Sequence, residues 1–124
     1  LKSKFDGADE AFCLTCSGGK MGEIVPCALE GGTEIVAENL FYNTPVRAKF
    51  MKTDKGEESE VSAVVARFIL GNPDIAFRYY TDGKLSVQSF GGGLEEAVAA
   101  VYGAAAISVS RPIQRRIVPI KAPL

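Results

Sequence analysis

The chain has 124 residues, is 47 % hydrophobic and 23 % charged, and carries 14 Lys+Arg against 15 Asp+Glu, a formal net charge of -1. That composition can bury a core, and it excludes wholesale disorder and a uniformly basic nucleic-acid binder, so any nucleic-acid contact must come from a local patch. The absence of histidine excludes a Ser-His-Asp or Cys-His nucleophile, a His-ligated zinc and a haem site.

Ala11 to Ser17 reads as a strand, and Gly18-Gly19 suits a two-residue hairpin connection. Met21 to Leu29 is the return strand, and Gly31-Gly32 turns into a third strand, Thr33 to Glu38. These three predict a short antiparallel meander. Thr44-Pro45 starts a helix, with Thr as N-cap and Pro at the first helical position, running to about Lys52. On a helical wheel Val46, Phe50 and Met51 share one side, while Lys49 and Lys52 lie together on the other. Thr53 to Gly56 reads as a polar loop. Glu57 to Leu70 is an amphipathic helix, with Val61, Val64, Val65, Phe68 and Ile69 at helical spacing and Gly71 and Pro73 to stop it. Ile75–Tyr80 and Leu85–Phe90 flank Asp82-Gly83, a strong hairpin signal. Gly91-Gly-Gly93 is a candidate boundary, followed by a helix from Leu94 to Tyr102 closed by Gly103. Ile107 and Val109 are expected to begin a strand. Arg111, Arg115, Arg116 and Lys121 lie in a proline-containing stretch from Ser110 to Leu124.

No apolar run approaches the ~20 residues that span a bilayer, so no membrane partner is expected. Asp6 and Asp9 follow Phe5 where a signal peptide would be apolar, and the missing initial Met reads as an excised piece. Three cysteines, Cys13, Cys16 and Cys27, fit a reduced cytoplasm better than a disulfide scaffold. Cys13 and Cys16, three apart on one strand, would face opposite sides of a sheet and could not clamp one metal, so no metal site is expected. Ser17-Gly-Gly-Lys-Met-Gly22 lacks the spacing of a phosphate loop and reads as a turn. The segment Asn39 to Phe50 holds more chemistry. Asn39 and Asn43 suit tight loop geometry, Phe41 and Tyr42 would pin the loop to the sheet, and Lys49 and Lys52 could contact phosphates. The alternative is a strand-to-helix connection with a solvated basic face.

The block Gly32-Thr33-Glu-Ile-Val-Ala-Glu-Asn-Leu-Phe-Tyr-Asn-Thr-Pro-Val-Arg-Ala-Lys-Phe50 closely resembles the Gly-Thr … Leu-Phe-Tyr-Asn-Thr-Pro-Ala-Arg-x-Lys-Phe block of the MutL DNA mismatch repair family. Ile75-Ala-Phe-Arg78, Asp82-Gly83-Lys84 and Val101-Tyr-Gly103 follow in the family's order, so the resemblance covers residues 11 to 103. From Ala104 onward the residues depart from that pattern.

The resemblance implies an α+β fold, an antiparallel sheet with helices on one face, forming the second part of a GHKL-type ATPase domain. It implies residues 1-92 as the C-terminal part of that domain, and 93-124 as a connecting helix and the start of a transducer domain. Gly32 and Thr33 would belong to the ATP site, the Thr33 hydroxyl backing the adenine-binding Asp. Arg47, Lys49 and Lys52 are the DNA-contact candidates. The full-length protein would use ATP and Mg, dimerise on ATP binding, and bind DNA through phosphates without sequence preference. It would couple the mismatch-recognition protein MutS to a downstream nuclease or helicase in the bacterial cytoplasm as part of the DNA damage response. The Asn-bearing magnesium helix and the Asp-x-Gly-x-Gly loop of the family are absent from these 124 residues, so no catalytic residue and no bound cofactor are expected here. The alternative is a free-standing nucleic-acid-binding α+β module without ATPase activity. A redox or metal protein built on Cys13 and Cys16 is a third reading.

Overall fold

The computed structural model describes residues 1–111 and 113. The chain divides into two units, Leu1–Met51 and Lys52–Leu124. The strands of the first are β1 (Lys2–Lys4), β2 (Ala11–Cys13), β3 (Cys16–Ser17), β4 (Lys20–Met21), β5 (Val25–Cys27) and β6 (Gly32–Glu34). Four of them make an antiparallel sheet in the order β5-β2-β1-β6, and β3-β4 is a separate hairpin.

The predicted meander is therefore corrected. β6 pairs with β1, not with β5, and it ends at Glu34 instead of continuing to Glu38. β1 has no apolar alternation to reveal it. Backbone pairing to β2 and β6 holds it, with polar cross-strand pairs beside the ladder: Lys2 Nζ lies 3.0 Å from Glu34 Oε1, and the Ser3 and Thr33 hydroxyls are 3.0 Å apart. The strand expected over Ala11–Ser17 breaks after Cys13, and the return strand breaks between Met21 and Val25. Pro26 sits in β5, an edge strand, where its missing N–H costs no ladder bond. Gly18-Gly19 closes the β3-β4 hairpin as expected. A Cβ at Gly18 would lie 2.5 Å from the Tyr42 hydroxyl oxygen, so only glycine lets the ring come that close.

A five-residue helix, α1 (Pro45–Lys49), completes the first unit. The second unit holds α2 (Asp54–Gly71), β7 (Ala76–Thr81), β8 (Lys84–Phe90), α3 (Leu94–Tyr102) and α4 (Ala105–Val109). β7 and β8 form the predicted hairpin, with Asp82 at φ 48° and Gly83 at φ 74°, both in the left-handed region that this turn requires. Burial alternates along β7: Phe77, Tyr79 and Thr81 are half-buried between exposed neighbours. α2 packs on β7, and α3 packs on β8 and on α2. Ile69 of α2 and Ala97 of α3 are fully buried, and Ser89 of β8 is 2 % exposed. The Ser89 hydroxyl accepts the Phe77 N–H at 3.2 Å, which satisfies it in the core. Of the apolar stripe predicted on α2, Ile69 is buried and Val65 half-buried, while Val61, Val64 and Phe68 remain exposed.

The expected strand at Ile107 is instead the helix α4. Ala104 to Ala106 favour helix, and the Ser108 and Ser110 hydroxyls donate back to the Ala105 and Ala106 carbonyls at 2.8 and 2.7 Å. Arg115, Arg116 and Lys121 lie outside the described residues. Among the described residues no helix is long and apolar enough to cross a membrane.

Candidate nucleic-acid and nucleotide contacts

The loop before α1 is built from two left-handed residues, Asn39 at φ 51° and Phe41 at φ 64°. Asparagine tolerates that conformation well; phenylalanine does so at a cost of roughly 1–3 kcal/mol, met here by the tertiary setting. Two turns close the loop: the Tyr42 N–H donates to the Asn39 carbonyl and the Thr44 N–H to the Phe41 carbonyl, each at 3.0 Å. The Tyr42 hydroxyl lies 3.4 Å from Ser17 Oγ, which ties the loop to the β3-β4 hairpin as the sequence suggests. Thr44 is the N-cap of α1 and Pro45 its first residue, but the Thr44 hydroxyl makes no capping bond.

α1 ends at Lys49, not near Lys52. Its last turn tightens: the Phe50 and Met51 N–H groups bond three residues back, to Arg47 and Ala48. Lys49 and Lys52 therefore do not share a helix face, which corrects the wheel. Among the described residues Val46, Phe50 and Met51 are exposed, at 68 %, 83 % and 44 %, so the side chains expected to face a core are left largely open.

The three basic candidates have different surroundings. The Arg47 guanidinium carbon stands 6.0 Å from the centroid of the Phe41 ring, at the outer limit of a cation–π contact. Lys49 has no ion pair among the described residues. Lys52 immediately precedes Thr53, the N-cap of α2, whose hydroxyl accepts the Gly56 N–H at 3.3 Å. The Lys52 N–H donates to Glu57 Oε1 at 2.6 Å, and its ammonium reaches Glu60 Oε1 at 2.5 Å.

The hydrogen bond from Lys52, and then its charge, hold the Glu60 carboxyl below its ordinary value of 4.5; the same bond lifts Lys52 above 10.5. Because the folded value of Glu60 is depressed, its contribution to stability is present above about pH 4.5 and is lost as pH falls through the lower folded midpoint. In an NMR titration we expect Glu60 to protonate below 4.5, and Lys52→Met to bring its midpoint back up. A midpoint unmoved by that substitution would rule the pairing out in solution.

Thr33 lies on β6 beside Gly32, at the edge of the four-stranded sheet, with its hydroxyl bonded to Ser3. Ser3 had no sequence signal, because its strand shows none. The cysteines separate differently than expected. Cys13 and Cys16 fall on strands of different sheets, and the near neighbour of Cys13 is Cys27 on the adjacent β5. Partial burial, and then Cys13, push the Cys27 thiol up, away from the thiolate that reactivity needs. Among the described residues no three His, Cys, Asp or Glu side chains are grouped to hold a metal ion.

No protein-family model matches the chain. It is 38 % identical over 104 residues to the DNA mismatch repair protein MutL of Streptococcus pneumoniae, and 33 % identical over 104 residues to that of Clostridium botulinum. Each match covers 83 % of this chain and 16 % of the relative, so the chain spans about a sixth of those proteins. Among solved structures, the Aquifex aeolicus MutL ATPase domain complexed with ADP superposes with a TM-score of 0.77 at 27 % identity. That match covers 82 % of this chain and 42 % of the other. The α+β architecture and the Gly32–Phe50 block thus have one common explanation: the chain belongs to the MutL family of DNA mismatch repair proteins and corresponds to part of the family's GHKL-type ATPase domain.

Proposed function

We propose that this chain serves a full-length, ATP-dependent mismatch repair factor that binds DNA and couples mismatch recognition by MutS to a downstream nuclease or helicase. The identity to MutL over 83 % of the chain carries the reading. In it, residues 1-92 belong to the ATPase domain, and 93-124 are the connecting helix and the start of the transducer. Gly32 and Thr33 line the adenine end of the nucleotide site; that a related ATPase domain was solved with ADP supports nucleotide binding by the full-length protein. ATP and Mg bind the full-length protein, ATP binding drives its dimerisation, and the work is done in the bacterial cytoplasm. Arg47, Lys49 and Lys52 contact phosphates. Lysine suits that task as a flexible point charge that reads little sequence. The match to an ATPase domain over 82 % of the chain weighs against a free-standing nucleic-acid-binding module.

ATP titration by calorimetry of the full-length protein and of residues 1–124, side by side, tests the ATP reading. Micromolar binding is expected for the full-length protein and none for the 124-residue chain. One hydroxyl at Thr33 offers a hydrogen bond worth ~1 kcal/mol, far short of the ~8 kcal/mol of micromolar binding. No binding to the full-length protein would remove the ATP-dependent reading.

A further inference from the structure

Lys52 is not simply an exposed cation waiting for a ligand. Its backbone N–H is fixed by Glu57 at 2.6 Å, and its ammonium is bonded to Glu60 eight residues ahead at 2.5 Å. Between these two anchors the side chain lies across the first turn of α2. The residue beneath it is Gly56: a Cβ there would come within 3.0 Å of Lys52 Cβ and 3.5 Å of Lys52 Cδ. Glycine is a poorer helix former than alanine. Here its missing side chain leaves the path open for the lysine stem.

We propose that Glu60 is an internal competitor for the phosphate contact of Lys52, a carboxylate that occupies the ammonium while DNA is absent and is displaced when DNA arrives. This rests on the reading of Lys52 as a phosphate contact. Carboxylate and phosphate oxygens are alternative acceptors for one ammonium, so the two partners exclude each other. The side chains of Lys52 and Glu60 are 57 % and 63 % exposed. At that exposure an ion pair is weak, so phosphate can displace it. A buried pair would lock the lysine; this one lowers DNA affinity and leaves the contact available.

The test measures binding of a labelled duplex of arbitrary sequence to the full-length protein across a salt series. Glu60→Gln keeps the shape and removes the charge, and should raise affinity about two- to fivefold at low salt. Glu58→Gln removes an equal charge two residues away and should do clearly less. Gly56→Ala, which crowds the lysine stem, should reproduce part of the gain. In a Lys52→Met background the gain from Glu60→Gln should vanish. If Glu60→Gln matches Glu58→Gln, or its gain survives in the Lys52→Met background, the competition is refuted. If Lys52→Met weakens DNA binding while Glu60→Gln changes nothing, the phosphate contact stands and the competitor alone is refuted. If Lys52→Met leaves DNA affinity unchanged, the contact and the competitor fall together.

Discussion

Changing Lys49 and Lys52 together to glutamate should weaken DNA binding by the full-length protein on the order of tenfold or more at low salt, and flatten its salt dependence. Each lost phosphate contact removes roughly 0.7 to 0.9 from the slope of log affinity against log salt, so two should remove about 1.4 to 1.8. The two lysines should contribute unequally. Lys49 has no ion pair among the described residues, whereas Lys52 must first leave Glu60. Single reversals measured beside the double one should therefore show the larger loss at Lys49. The melting temperature checks the fold; α1 buries none of its residues, and both lysines are exposed, so it should move little. Unchanged affinity and slope in the double variant would identify the pair as a solvated basic face.

The largest stability effect is expected at Ile69. It is 0 % exposed, the largest fully buried apolar side chain of the described residues, and it lies where α2 meets the rest of the second unit. Ile69→Ala removes three carbons from a packed site and should cost about 2 to 5 kcal/mol in denaturant unfolding. Its neighbour Phe68 is the bigger side chain but is 57 % exposed. Phe68→Ala should cost clearly less, because burial outweighs size. Equal losses at the two positions would mean that α2 uses a different face in solution.

Most of the helices and turns were legible because their signals are local. Asp82-Gly83 demands positive φ twice, and no longer-range information is needed to place that hairpin. Leu94 to Tyr102 carries its period and its closing Gly103 within a few residues, and the helix runs over those bounds. The start of α2 was misread: the polar loop expected over Thr53–Gly56 is the N-cap and first turn of the helix, with Thr53 as the cap and Asp54 and Glu57 in that turn. The family was legible for a related reason: Leu-Phe-Tyr-Asn-Thr-Pro is a contiguous word.

By itself, then, the sequence determined the Gly18-Gly19 and Asp82-Gly83 hairpins, most of the long helix and the family. Tertiary structure alone decided which strands pair and which charges meet. β1 exists because β2 and β6 flank it: its backbone pairs with Phe12–Cys13 on one side and with Gly32–Glu34, about 30 residues away, on the other. Nothing in Lys-Ser-Lys announces a strand. Cys13 finds Cys27 on a neighbouring strand instead of Cys16 in its own segment. Lys52 leaves the face of α1 for Glu60 because α1 closes at Lys49, and Thr53 starts a new helix whose second turn presents a carboxylate. Turn and helix propensities act over a few residues, but cross-strand pairing and ion pairing depend on distances that exist only after the chain has folded.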